Sequence, residues 1–269
     1  MDERLKGKVA LVIGAGAAAG GWSNGKAAAV AYARAGASVA AVDLDAARAG
    51  ETVALIEREG GEAFPLLADA TKGVDVAKAV EAAQKRFGRI DIVHNNVGVG
   101  GGFGAPDVLT EEGWKRELSV TLDSAFLGIK YGVPALRESG GGAIINISST
   151  LAVRLMRKCY AAYTVAKAGV EALTRSCALA YGPENIRVNC IRIGFSETPL
   201  MLAGLERRGL SLEERERELA KSRAKVPLRH EHTTPWEIAA AAVFLASDEA
   251  KGVTGVVMNV DGGVELAPI

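Results

Sequence analysis

The sequence predicts an α/β fold: one domain built on a doubly wound parallel sheet, with helices on both faces. Three observations carry this. Short β-branched apolar runs alternate with helical stretches, which is the pattern of repeated βαβ units. The first run, Lys8 to Ile13 (KVALVI), is apolar without alternation, as expected for a strand buried on both faces. The length of 269 residues, 49% of them apolar, suits one large domain with a sizeable core better than two small ones.

Composition excludes several classes. Lysine plus arginine equals aspartate plus glutamate at 32 each, so no overall field draws the chain to nucleic acid or to an anionic membrane. No apolar run reaches the ~18 residues of a membrane span, and the charged start MDERLKGK is unlike a signal peptide. Cys159, Cys177 and Cys190 are widely spaced and odd in number, without metal or redox spacing. A reducing, cytoplasmic setting is the simplest expectation.

The first strand leads into a small-residue loop from Gly14 to Lys26 and an Ala-rich helix to about Arg34. Gly36 ends that helix, and Ser38–Asp43 is the second strand. A glycine loop here lets backbone N–H groups approach a pyrophosphate at a helix N-terminus. The spacing is enlarged: Ser23, Asn24 and Gly25 hold the place of the later glycines, about five residues further on than usual. Asp43 ends the second strand and can accept both hydroxyls of an adenosine ribose while repelling a 2′-phosphate, which favours NAD over NADP. It could instead cap the next helix, a role equally open to Asp45. The unit then repeats. A helix over 46–59, a third strand ending at Asp69 and a helix over 76–87 lead to a strand over 90–94. Asp69, Ala70, Asn95 and Gly98 thus reach the sheet edge where ligands bind, while His94 is assigned to packing. The glycines from 98 to 104 make a connection or a pocket wall.

Thr110-Glu111-Glu112 opens a long helix that Gly140–Gly142 stops. A fifth strand over 143–148 leaves Ser149 just past its end. On the next helix Tyr163 and Lys167 stand at i and i+4, on one face. A phenol ionises near ~10, and an adjacent ammonium favours the phenolate, ~3 units corresponding to ~4 kcal/mol. One hydroxyl to bind a carbonyl oxygen, a phenol to protonate it and an ammonium to tune the phenol make a carbonyl-reduction site.

These residues, with Asn95-Asn96-Val97-Gly98, Asn146–Ser149, Tyr163–Lys167, Ile186–Asn189, Gly194 through Thr198-Pro199, and Asn259–Gly263, resemble the short-chain dehydrogenases/reductases of the classical subgroup along nearly the whole chain. The resemblance implies a Rossmann fold and hydride transfer between a nicotinamide and a secondary alcohol or ketone. By it Tyr163 is the acid/base, Ser149 steadies the substrate oxygen, and Lys167 holds the ribose and lowers the phenol. Thr198 meets the carboxamide. A homotetramer or homodimer is implied, with Tyr163–Tyr181 pairing between subunits.

Three departures stand out. Thr121 occupies the place of an asparagine thought to hold a water in the proton relay behind the lysine, and its hydroxyl can bond back to its own helix. The cofactor loop is enlarged, and Ile193 replaces the proline before Gly194. The stretch 201–225 matches a mobile substrate lid, although its charge-dense helix also reads as a solvated surface. Arg154, Met156 and Arg157 lie where relatives contact substrate. His230 and His232 flank Glu231 without further metal ligands, and Thr234-Pro235-Trp236-Glu237 is a capping box opening a helix to about Ala246. The expected activity is an NAD-dependent secondary-alcohol dehydrogenase or ketone reductase. An NADP-dependent reductase and a non-catalytic dinucleotide sensor are the alternatives.

Overall fold

The computed structural model describes residues 3–18, 21–98, 104–154, 159–206 and 208–267. Met156, Arg157 and glycines 100–102 lie outside them. Every residue of β1 (Val9–Ile13) is buried, as its unbroken apolar run requires. It is followed by α1 (Asn24–Arg34), β2 (Ser38–Asp43), α2 (Ala46–Arg58), β3 (Ala63–Leu67), α3 (Gly73–Phe87) and β4 (Ile92–Asn95). Then come α4 (Glu111–Leu118), α5 (Ser124–Glu138), β5 (Gly142–Ser149), α6 (Ala161–Tyr181) and β6 (Ile186–Ile193). The last elements are α7 (Pro199–Glu206), α8 (Leu212–Arg223), α9 (Pro235–Ala246) and β7 (Val257–Val260).

The strands form one seven-stranded sheet in the order β3-β2-β1-β4-β5-β6-β7, every pairing parallel. Alternation along each strand separates two cores. Ala10 and Val12 pack with α1, α2 and α9, whereas Leu11 and Ile13 pack with α3, α5 and α6 on the other face. Strand order reverses between β1 and β4, which opens a crevice at their carboxyl ends. Register sets that edge: Ile13 pairs with Asn95, Asn95 pairs with Asn146, and β5 runs on to Ser149, which pairs with Ile193.

Four expectations need correction. Strand β3 stops at Leu67, because Asp69 turns the chain by accepting from the Thr71 amide (3.0 Å) and hydroxyl (2.6 Å). Ser149 is the last residue of β5 rather than the residue after it. The long helix is broken by a π-helical turn at Ser119–Asp123, where Ser124 Oγ donates to the Val120 carbonyl at 2.7 Å. The stretch expected as one charge-dense helix is two helices, α7 and α8, the second opened by a Ser211–Glu214 capping box. The box at Thr234–Glu237 opens α9 as the sequence predicts.

Candidate active site

Ser149, Tyr163 and Lys167 converge at the carboxyl edge of the sheet. Ser149 is buried at the tip of β5. Its Oγ accepts from the Leu151 amide at 3.2 Å and is a hydrogen-bond partner of the Tyr163 phenol. Tyr163 is half-buried near the start of α6, and one turn on Lys167 is 3% exposed, its Nζ 5.8 Å from the phenol ring centre. The ammonium donates to the Ile147 carbonyl at 2.8 Å. Gly98 closes the group: a Cβ there would lie 3.1 Å from Lys167 Nζ and 3.7 Å from Thr121 Oγ1, so only bare backbone fits between them.

The electrostatics differ from the sequence expectation. Burial pushes the Tyr163 phenol up to about 12, against the lowering pull of Ser149. Burial also pushes the Lys167 ammonium down to about 8. Lys167 spends a hydrogen bond on the Ile147 carbonyl, and desolvation outweighs its attraction for the phenolate.

The neighbouring serine has a different task. Ser148 Oγ donates to Glu171 Oε1 at 2.8 Å, and Arg192 binds the same carboxylate through Nε (2.8 Å) and Nη2 (2.7 Å). Arg192 Nη1 reaches Glu265 at 2.6 Å. This buried network fixes the register of α6 against β5 and β6, and with it the spacing of Tyr163 from Ser149.

Asp43 and the glycine loop form one unit. Asp43 Oδ2 accepts from the Gly16 amide at 2.8 Å, while its Oδ1 accepts from the Asp45 amide at 3.1 Å. Asp45 itself caps α2, which leaves Asp43 at the strand end. A Cβ at Gly25 would meet the Gly14 carbonyl at 1.9 Å, and one at Gly16 would meet Asp43 at 2.7 Å and Arg48 Cβ at 2.6 Å. Ser23 closes the enlarged loop by donating to the Gly16 carbonyl at 2.7 Å, and it caps α1. At the end of the enlarged loop Trp22 packs on Trp236 of α9 with ring centres 4.6 Å apart, and Gly21 abuts Pro199. Asn24, first residue of α1, keeps a buried amide oxygen without a partner among the described residues. Bare backbone at a helix N-terminus, an orphaned polar atom and an acid at the next strand suit a dinucleotide.

Other predicted residues fall differently. Asn95 turns into the sheet, donating to Asn146 at 2.8 Å, and its oxygen fits only because Gly128 lacks a Cβ. It therefore braces strands, and Asn96 holds the loop by donating to the Gly14 carbonyl at 3.1 Å. Asp69 pairs with Thr71 and Lys72, and these partners hold its carboxyl below the usual range. Ala70 is buried beside it. Gly194 is pressed against Asp261, 2.8 Å from a built Cβ. Thr198 starts α7, its Oγ1 3.5 Å from the Met201 amide.

Sequence reasoning missed three features. Lys26 of α1 is 7% exposed, with its ammonium over the Trp22 ring. Glu117 is buried and bonded to Thr121 (2.8 Å), a contact that the i, i+4 spacing could have shown. Glu197, beside Thr198, accepts from Arg223 of α8 (2.7 and 3.0 Å) and is bonded to His232 (2.9 Å). That contact could not be read from spacings of 26 and 35 residues.

Comparison with known proteins agrees with this geometry. The family profile described as Enoyl-(Acyl carrier protein) reductase matches residues 16–265. A crystal structure from Burkholderia xenovorans, described as a short-chain dehydrogenase/reductase, is 40% identical with a TM-score of 0.90, covering 99% of this chain and 100% of that one. Cyclohexanol dehydrogenase of Acinetobacter sp. strain SE19 is 34% identical over 97% of this chain and 96% of its own length. A 7α-hydroxysteroid dehydrogenase complexed with NADH and 7-oxo glycochenodeoxycholic acid is 32% identical at a TM-score of 0.84, over 97% of this chain and 96% of the other. With this fold, and with these relatives matched almost end to end, the chain belongs to the short-chain dehydrogenase/reductase family and is an oxidoreductase of that family.

Proposed function

We propose that the protein is an NAD-dependent dehydrogenase interconverting a secondary alcohol and a ketone, with Tyr163 as its acid/base. The observation that carries this reading is the convergence of Ser149, Tyr163 and Lys167 beside Gly98, at the edge where the glycine loop and Asp43 also end. Gly14, Ser23, Asn24 and Gly25 would hold the pyrophosphate, and Asp43 the adenosine ribose. Asp69 and Ala70 would border the adenine, and Gly98, Lys167, Gly194 and Thr198 the nicotinamide half. When bound, the nicotinamide supplies the acceptor or donor of the hydride. Ser149 positions the substrate hydroxyl, and Tyr163 Oη takes its proton as the carbon becomes a carbonyl. Lys167 keeps positive charge beside the phenol.

Names of relatives point to cyclic alcohols as the substrate class to try first, since one oxidises cyclohexanol by name and another is titled for a hydroxysteroid. Val165 and Leu179, exposed apolar residues of α6, support pairing of that helix in a homodimer or homotetramer. Free, unpaired cysteines support a reducing, cytoplasmic setting.

The test is NADH formation with a panel of cyclic and aromatic alcohols. Tyr163→Phe is expected to lose on the order of 10²–10⁴ in kcat while still binding NAD. Bound NAD with no turnover on any alcohol, unchanged in Tyr163→Phe, would instead indicate a sensor. One observation favours NADP as a second reading: the Arg48 side chain starts beside Gly16 and Asp43.

A further inference from the structure

Behind Lys167 the site has an acid that the reaction scheme above does not use. Glu117 lies on α4, 2% exposed, and Thr121 lies one turn on, 1% exposed, within the π-helical turn. Thr121 Oγ1 donates to Glu117 Oε1 at 2.8 Å, so the hydroxyl bonds back to its own helix through a carboxylate rather than a carbonyl. The same Oγ1 and Lys167 Nζ both lie within 4 Å of the position where a Cβ of Gly98 would stand. A hydroxyl that lies, like the lysine, against Gly98 is thus tied to a buried acid. Burying a carboxylate is costly unless something nearby repays it. Here the repayment available is a buried ammonium and the groups it serves.

We propose, on the reading of the site given above, that Glu117 is a positioning residue. Its carboxylate, joined to the Thr121 hydroxyl, supplies the counter-charge behind Lys167 that keeps this amine an ammonium beside Tyr163. The pair replaces the amide that related enzymes carry at the Thr121 position. Burial alone drives Lys167 toward the neutral amine. The negative charge of Glu117 opposes that, and it also holds the Tyr163 proton on. The titratable groups facing Lys167 are Tyr163 on its own helix, Glu117 on α4 and the Cys190 thiol on β6. Burial raises Cys190 to about 12, so it is neutral through the working range. Glu171, one turn on in α6, is neutralised by Arg192. Among the described residues that leaves Glu117 as the acid that acts on Lys167.

The experiment compares wild type with Glu117→Gln, which keeps the shape and the Thr121 contact but removes the charge. Heteronuclear NMR of ε-¹³C-lysine follows the titration, with the Lys167 signal assigned by its loss in Lys167→Met. Lys167 is expected to lose its proton about one pH unit lower in Glu117→Gln. The alkaline limb of kcat/KM for ketone reduction should move down with it, because Tyr163 and Lys167 both lose protons earlier. A cofactor Kd within about twofold of wild type would show that the site is otherwise intact. An unchanged Lys167 titration would overturn the proposal. If Glu117→Gln does not fold, Glu117→Met carries the same expectation. The titration is read without turnover: a shifted Lys167 in a protein that oxidises no alcohol would sink the dehydrogenase reading and leave this one standing. Turnover with an unmoved Lys167 would do the reverse.

Discussion

At the scale of single residues, the site is a balance of burial against charge. Tyr163 sits up near 12 and Lys167 down near 8 because packing around them disfavours both ions. Alcohol oxidation needs the phenolate, so its rate should climb as pH rises toward 12, while ketone reduction, which needs the phenol, holds until pH nears that value. On the proposed reading Asp43 carries cofactor choice. Replacing it with serine removes the acid proposed to face the ribose and leaves Arg48 nearby. The NAD-to-NADP ratio of kcat/KM should then fall by about 10²-fold, as expected for loss of one charge-assisted hydrogen bond and a repulsion. Paired assays with both cofactors check this, and an unmoved ratio would mean that Asp43 serves only the Gly16 amide. The Tyr163–Lys167 pair and Asp43 were legible because each depends on short spacing: an i, i+4 step on a helix, and a strand end after a glycine loop. The direction of the phenol's shift was not legible, because desolvation depends on everything packed around a group.

At the scale of elements, α8, part of the proposed lid, is tied to the segment before α7 through one carboxylate. Arg223 binds Glu197 with both Nε and Nη2, His232 Nδ1 meets the same acid, and His232 Nε2 is 2.6 Å from Ser222 Oγ. These partners hold the Glu197 carboxyl below its ordinary range, with Arg223 foremost. Arg223→Ala cuts the tie from α8 and should free the lid. Substrate KM is expected to rise roughly 3- to 10-fold with kcat much less affected, as for a closure that commits substrate. Steady-state kinetics with saturating cofactor measure it; equal loss in kcat and none in KM would place Arg223 outside lid closure. The helices α2 and α9 could be bounded from caps and periodicity to within a residue or two, since Asp45 and Thr234 stand at their starts, whereas α1 begins at Asn24, before the expected end of the glycine loop at Lys26. The break at Ser119–Asp123 could not. No glycine or proline marks it, and the side-chain bonds that accompany it, Ser124 to Val120 and Thr121 to Glu117, have the i, i+4 spacing of an unbroken helix and so do not announce it.

At the scale of the whole molecule, stability has a pH dependence written into the core. His94 of β4 is fully buried against the Tyr32 hydroxyl of α1, 2.9 Å from Nδ1, and burial drives its pKa from 6.5 down to about 3. The folded state therefore keeps His94 neutral, while the unfolded chain binds a proton below 6.5. Its contribution is fully present above that value and is lost as pH falls toward 3, by about 1.4 kcal/mol per pH unit. Denaturant titrations between pH 4 and 7 should show a flatter slope in His94→Gln than in wild type; equal slopes would mean that water reaches the imidazole. The doubly wound sheet was readable because short apolar runs separated by helices leave few parallel topologies, while the strand order comes from the structure. Which strand residues brace one another was not. Asn95 looks like a ligand contact by its place at the sheet edge, and only the bare Gly128 on α5 reveals that its side chain points inward.

The stacking of Trp22 on Trp236 has a further consequence. The excursion that enlarges the glycine loop ends in an indole that leans on a second indole from α9, with the Lys26 ammonium over one ring and the Arg34 guanidinium over the other. Two such chromophores 4.6 Å apart couple electronically. The glycine loop thus carries a built-in optical gauge of its own position, readable in circular dichroism and emission.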